Sequence, residues 1–216
     1  MENLTPENIH DVARLIYHGQ REKVHHLWLN STDSEQCILL IEQALSNDNI
    51  FPVIKRGQVV GVALTETQDS PSALRVSRSF WKENFGFWGG LLRWIRFIVY
   101  KKIQVRLTPE TLHLELLVVA TEYRRQGIGT QIIDDVARLA AKLGKTQLIV
   151  AVAESDQRSL DFFTANGFCP IHRKRLRSLF IRKIARRAGA ESFYTLERDL
   201  LAEEEKTFRS NKVITS

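Results

Sequence analysis

An α/β domain with helices on both faces of a sheet is the fold class that three features of this 216-residue chain predict. Residues 112 to 168 run strand, glycine-rich turn, helix, strand, helix. The first of these strands, Leu112 to Val119, is apolar almost without interruption, the pattern of a strand covered on both faces. A composition of 44% hydrophobic and 26% charged residues is ordinary for a globular chain and supplies one buried core.

The N-terminal third reads as two helices and a hairpin. Thr5-Pro6-Glu7 supplies an N-cap followed by proline in the first turn, and Ile9, Val12, Leu15 and Ile16 then line one helical face. A second helix is expected to start at Thr32, whose hydroxyl forms a capping box with Glu35; its apolar face is Ile38, Leu39, Ile41 and Leu45. Phe51 to Lys55 and Gln58 to Glu66 then form two strands turning at Arg56-Gly57.

Between these strands and the central series lies an aromatic segment. Ser79 to Lys102 interleaves Phe80, Trp81, Phe85, Phe87, Trp88, Trp94, Phe97 and Tyr100 with Lys82, Arg93, Arg96, Lys101 and Lys102. It reads as a lid helix or helical hairpin packed on the domain. A homodimer contact, or a nucleic-acid or membrane surface, stands behind that reading.

The central series carries the chemistry. After the strand Leu112 to Val119 comes Arg124-Arg125-Gln126-Gly127-Ile128-Gly129-Thr130. This turn sets several backbone N–H groups at a helix start, where unsatisfied donors and the positive end of the helix dipole attract an anion. Glycines there let the main chain approach a ligand closely. Ile128, Ile132, Val136, Leu139, Ala140 and Leu143 recur at helical spacing, and Gly144 stands where a left-handed C-cap ends that helix. Gln147 to Ala153 is the next strand. Asp156 caps a further helix carrying Leu160, Phe162 and Phe163, closed by Asn166-Gly167.

Other phosphate motifs fit these residues less well. A Walker loop needs lysine after its glycine, and Ile128 and Thr130 stand there; a dinucleotide fingerprint needs a third glycine where Ile132 stands.

On Arg124-x-x-Gly127-x-Gly129, the strand that follows and the helix ending Asn166-Gly167-Phe168, the chain resembles the GNAT superfamily of N-acetyltransferases. The resemblance covers residues 112 to 168 most strongly, with weaker agreement over 4 to 66 and 193 to 200. It implies a GNAT-type fold: a twisted mixed β-sheet with helices on both faces, in a single domain over residues 1 to 200. Relative to the family pattern, about 76 to 107 and about 172 to 190 are insertions, and 201 to 216 is a polar tail. The family's first strand has little room before Pro6.

The resemblance also implies acetyl-CoA as acyl donor and a primary amine as acceptor. Amides of Arg125, Gln126, Gly127, Ile128, Gly129 and Thr130 are expected to hold the pyrophosphate, with Arg124 adding charge. Leu117, Val118 and Val119 would pair through their backbone with the pantetheine arm, and Asp156 and Phe163 would border its far end. No metal is required, and no His/Cys/carboxylate spacing calls for one.

Acyl transfer to an amine needs a general base, because an alkylammonium titrates near ~10.4. Glu115 is the first candidate, lying in the strand before the turn and, in a regular strand, on the same face as Val119. His113 shares that face and is the second. For the acid, position 163 matches a tyrosine frequent in the family but holds phenylalanine, leaving Tyr123 and Tyr194 as substitutes. That departure keeps open a sensor that binds acyl-CoA without turnover.

The last insertion, His172 to Arg187, carries eight Lys/Arg residues and no acid, and its spacing of Leu176, Leu179, Phe180, Ile181 and Ile184 predicts a short amphipathic basic helix. It supplies much of the formal +6 charge and keeps open an acidic protein or aminoacyl-tRNA as acceptor. Cys37 and Cys169 form neither a metal spacing nor a disulfide framework and read as reduced core residues. With no basic-then-apolar leader pattern and no apolar run of spanning length, a cytoplasmic location is expected.

Overall fold

The computed structural model describes residues 5–46, 48–176, 182, 185–187 and 191–202, with the side chains of 6, 7 and 99–104 excepted. The space before Pro6, the apolar positions 179 to 184 of the expected basic helix, and the tail from 203 lie outside these residues.

Local sequence signals set the first elements. Helix α1, Pro6–Gly19, starts at Thr5, whose hydroxyl accepts from the Asn8 amide at 3.3 Å. Short α2, Arg21–Lys23, leads into a π-helical turn, Val24–Trp28. Helix α3, Ser34–Ala44, is capped by Asp33, which accepts from the Gln36 amide at 3.0 Å. The cap therefore falls one residue beyond Thr32. The buried face is Cys37, Ile38, Leu40, Ile41 and Ala44, and Leu39, expected inside, is exposed.

Strands β1, Ile50–Lys55, and β2, Gln58–Glu66, pair antiparallel around Arg56 and Gly57. Both turn residues have positive φ (52° and 79°), the left-handed pair that a two-residue hairpin of this twist needs.

The aromatic segment forms α4, Arg78–Gln104, interrupted at Gly86, where φ 70° and ψ 177° lie in a region only glycine adopts readily. The break doubles the helix back on itself. A Cβ at Gly90 would lie 2.4 Å from the Trp81 carbonyl oxygen, and Trp81 packs against Phe85 and Phe97 at 5.8 Å in each case. The hairpin alternative is the one observed.

Strand β3, Thr111–Val119, is followed by a 3₁₀ turn, Thr121–Tyr123, helix α5, Ile128–Lys142, strand β4, Gln147–Ala153, and helix α6, Gln157–Ala165. Gly144 (φ 68°) and Gly167 (φ 84°) follow α5 and α6 in left-handed conformations, as expected of helix stops. Leu143, assigned to the inner face, is exposed because the helix has ended one residue earlier.

Strand β5, Cys169–Arg175, takes up the start of the basic insertion, so His172 to Arg175 are extended and not helical. Strand β6, Ser192–Asp199, completes a six-stranded mixed sheet of order β1-β2-β3-β4-β6-β5. Because β5 is an edge strand exposed along its length, Cys169 at its start lies at the surface and not in the core.

Two apolar layers enclose the sheet. Val12, Ile16, Leu40, Ile41, Trp81, Leu116 and Val118 belong to one, between the sheet and α1, α3 and α4. Ile128, Ile132, Val136, Leu112, Leu114, Phe163 and Phe168 belong to the other, between the sheet and α5 and α6.

Candidate active site

Strands β3 and β4 run parallel but pair only at Thr111 with Gln147, Leu112 with Leu148 and His113 with Ile149. Beyond His113 they part, while β3 continues to pair with β2 and β4 with β6. A wedge opens between two backbone edges, and the turn before α5 follows directly from the end of β3.

At that turn Arg125 (φ 62°) and Gly127 (φ 79°) are left-handed, and Gly127 is the N-cap of α5. No side chain caps this helix start, and a Cβ at Gly127 would meet nothing within 4 Å. The first-turn amides of Ile128, Gly129 and Thr130 thus form a donor cluster at the positive end of a 15-residue helix. Gly129 has a different reason to be glycine. A Cβ there would approach the Phe162 ring to 2.8 Å, so the residue lets α6 pack tightly on α5.

Arg124 turns back, donating its Nε–H to the Val119 carbonyl at 3.0 Å, and Gln126 donates its side-chain amide to the Glu122 carbonyl at 3.1 Å. Both side chains therefore brace the turn. Ile128 is buried under it.

The ladder between β2 and β3 slips by one residue: Leu64 faces Leu116, but Thr65 faces Leu114. Glu115 is the extra residue of a β-bulge. The bulge reverses the alternation of β3. Leu112 and Leu114 pack toward α5 before it, whereas Leu116 and Val118 pack toward α1 after it, with Leu117 and Val119 now on the α5 side. Glu115 accepts a short hydrogen bond from the Ser72 hydroxyl, which in turn accepts from the Leu74 amide. It therefore lies on the α1 side, opposite Val119, which overturns the regular-strand expectation.

His113 shares the Glu115 side. Its Nδ1 is 2.9 Å from Glu66 Oε1, the side chain is almost fully buried, and its buried Nε2 has no hydrogen-bond partner among the described residues. Donation from Nδ1–H to the carboxylate would leave the Nε2 lone pair open to accept a proton.

Tyr194 does not join them. It packs on the α5 side, with its hydroxyl donating to Glu154 at 3.4 Å. Glu154 is also paired with Arg173 at 2.9 Å; hydrogen bonding to Ser192, then to Arg173, holds its carboxyl below the ordinary range. Phe163 is a core residue, packed against Phe162 and Phe168 at 5.3 and 5.2 Å. Asp156 caps α6, accepting from the Ser159 amide and hydroxyl at 3.1 and 2.7 Å.

Three neighbours escaped sequence reasoning: Ser72, Glu66 and Lys23. Ser72 meets Glu115 from a loop 43 positions away, a pairing with no local signal. Glu66 was assigned only as the end of a strand, and its pairing with His113 needed the shifted register. Lys23 of α2 is half-buried; desolvation lowers its pKa and the charge of Asp156 opposes the shift. A cleft of about 510 Å³ lies beside α1, lined by Asp11, Arg14, His18 and Tyr123 among others, and it meets the end of β3 and the turn at Val118, Val119 and Arg124. Neither Glu115 nor His113 lines it.

Comparison with known proteins places the fold and the family. Structural neighbours include an acetyltransferase (TM-score 0.59, 18% identity, covering 92% of this chain and 98% of the other) and an N-acetyltransferase from Staphylococcus aureus Mu50 (TM-score 0.58, 13% identity, covering 91% and 98%), which establishes the shared fold. Thialysine N-epsilon-acetyltransferase from Bos taurus is 43% identical over 56 residues, 26% of this chain and 33% of that protein. The Sus scrofa protein of the same name is 35% identical over 69 residues, 32% of this chain and 41% of its own length. The chain thus spans well under half the length of these curated relatives. The model of the acetyltransferase (GNAT) family matches residues 17–168, most of the chain from α1 to the end of the cradle and α6, and the protein belongs to that family.

Proposed function

We propose that this protein transfers an acetyl group from acetyl-CoA to a primary alkylamine by direct attack in a ternary complex. One observation carries the reading: an uncapped helix N-terminus stands at the mouth of a parted strand pair, with a bulged carboxylate, Glu115, in the same strand. Amides from Arg125 to Thr130 suit a pyrophosphate, and the open edge of Leu117 to Val119 suits an extended amide-bearing arm. The ε-amine in the names of the bovine and porcine relatives supports an alkylamine acceptor.

In this reading the amine enters from the α1 side, where Glu115 and His113 lie. Glu115 removes a proton as nitrogen attacks the thioester carbonyl carbon; Ser72 orients the carboxylate. The carbon–sulfur bond then breaks and the thiolate departs. A thiol of pKa near ~8.5 leaves without obligatory protonation, so the placement of Tyr194 on the other layer is no obstacle.

Glu115→Gln tests the assignment. Turnover with an alkylamine should fall about 10²- to 10⁴-fold while acetyl-CoA affinity, read by calorimetry, stays within about twofold. Unchanged turnover would move the base to His113, tested by His113→Gln. Acetyl-CoA binding with no turnover by the unaltered protein would favour the sensor reading, which the apolar side chain of Phe163 suits.

A further inference from the structure

The second half of α4 turns two arginines inward and an apolar ridge outward. Arg93 points into the domain, donating its Nε–H to the Leu29 carbonyl at 2.7 Å and an Nη–H to the Asn30 carbonyl at 3.2 Å. Arg96 does the same to the His26 carbonyl at 2.7 Å. Both guanidinium groups satisfy carbonyls at the end of the π-helical turn, a favourable place for cations. The face left for solvent is Phe87, Trp88, Leu91, Leu92 and Ile95, at 61%, 77%, 36%, 51% and 44% exposure. An ordinary surface helix turns its apolar stripe inward and its charges out. This one buries Phe97 and half-buries Trp94, yet it also sets two arginines inside and an apolar ridge outside.

Charge selects what covers that face. Five such side chains expose on the order of 500 Å² of apolar surface, as large a patch as monomers commonly carry. A second copy is the weaker fit, because a two-fold contact would set this basic, nearly acid-free segment against itself. Glu83 is the one acid in α4, and residues 84–109 hold no Asp or Glu while they include Lys101, Lys102 and Arg106. Lys82 and Arg106 are exposed near the two ends of the hairpin, and the whole chain carries +6. An apolar ridge on a segment with exposed Lys82 and Arg106 and a single acid, Glu83, in a chain of net charge +6, matches an anionic lipid interface. No helix among the described residues is long and apolar enough to cross a membrane, which suits a helix lying in the interface plane.

We propose that Phe87, Trp88, Leu91, Leu92 and Ile95 of α4 dock this protein on an anionic bilayer surface, with the helix parallel to the membrane. The inference rests on the polarity of α4 and stands independently of the acyl-transfer reading. Its test is co-sedimentation of the full chain with vesicles of phosphatidylcholine alone and of phosphatidylcholine mixed with phosphatidylglycerol, with tryptophan emission read in parallel. Trp28 and Trp81 are buried and Trp94 is half-buried under the Arg78 guanidinium, so Trp88, the most exposed of the four, dominates any change of environment. Binding to the mixed vesicles with a blue-shifted emission, weakened by salt, is expected. Trp88→Ser with Leu92→Ser should reduce partitioning at least about tenfold, whereas Leu143→Ser, an exposed leucine on α5, should leave it unchanged. A wild type that stays in the supernatant with both vesicle types overturns the proposal. So does equal binding to neutral vesicles, or a concentration-dependent dimer that the double substitution abolishes in sedimentation velocity.

Discussion

Glu115 shows how one inserted residue decides which side of a sheet a carboxylate serves. Without the bulge, β3 would present it on the face of Val119, toward α5; with it, the carboxylate meets Ser72 under the α1 layer. The sequence could name the residue but not its face. In a strand apolar on both sides, alternation carries no mark where the register slips. His25 is another buried polar residue whose behaviour follows from its surroundings. It bonds the Tyr17 hydroxyl at 3.0 Å, and burial, followed by the charge of Arg21, lowers its pKa. On acidification the unfolded chain therefore takes up this proton before the folded one does, so stability is lost as pH falls through the ordinary histidine value near ~6.5. Urea midpoints measured at about pH 8 and about pH 5.5 should drop toward acid, and His25→Gln should flatten that difference.

At the scale of elements, local chemistry was legible and long-range chemistry was not. Thr5 and Asp156 cap their helices as their residue types require, and Arg56-Gly57 makes its turn, because each signal lies within four residues of its effect. The basic insertion misled because His172 to Arg175 have no apolar alternation to betray a strand. Their charges have a structural use there: cations along an edge strand discourage pairing with another chain. The contact between α5 and α6 is equally hidden in sequence. Gly129 looks like part of the phosphate turn, yet its missing side chain is filled by Phe162. Gly129→Ala should cost about 1–3 kcal/mol by overpacking. Phe162→Leu in the same chain should recover part of that loss, a coupling that a double-mutant cycle of denaturant unfolding measures directly.

For the whole molecule, the alternation over residues 112 to 168 was enough to announce an α/β sheet with two covered faces, and the structure has it. The insertion of β6 between β4 and β5 was beyond reach, since it depends on pairings settled only in the folded chain. The same strand order has a mechanical side. β1-β2-β3 and β4-β6-β5 are two half-sheets whose shared ladder is the short one from Thr111 to His113. That junction is a seam, the place where the sheet can breathe without breaking either half. A molecule lodged beyond His113, bonding one strand with each edge, would act as a staple across it. Amide exchange should then slow at Leu117 to Val119 and at Val150 to Val152 when acetyl-CoA is added, with β1 and β5 left unchanged. Equal slowing throughout the sheet would mean that the two halves already move as one.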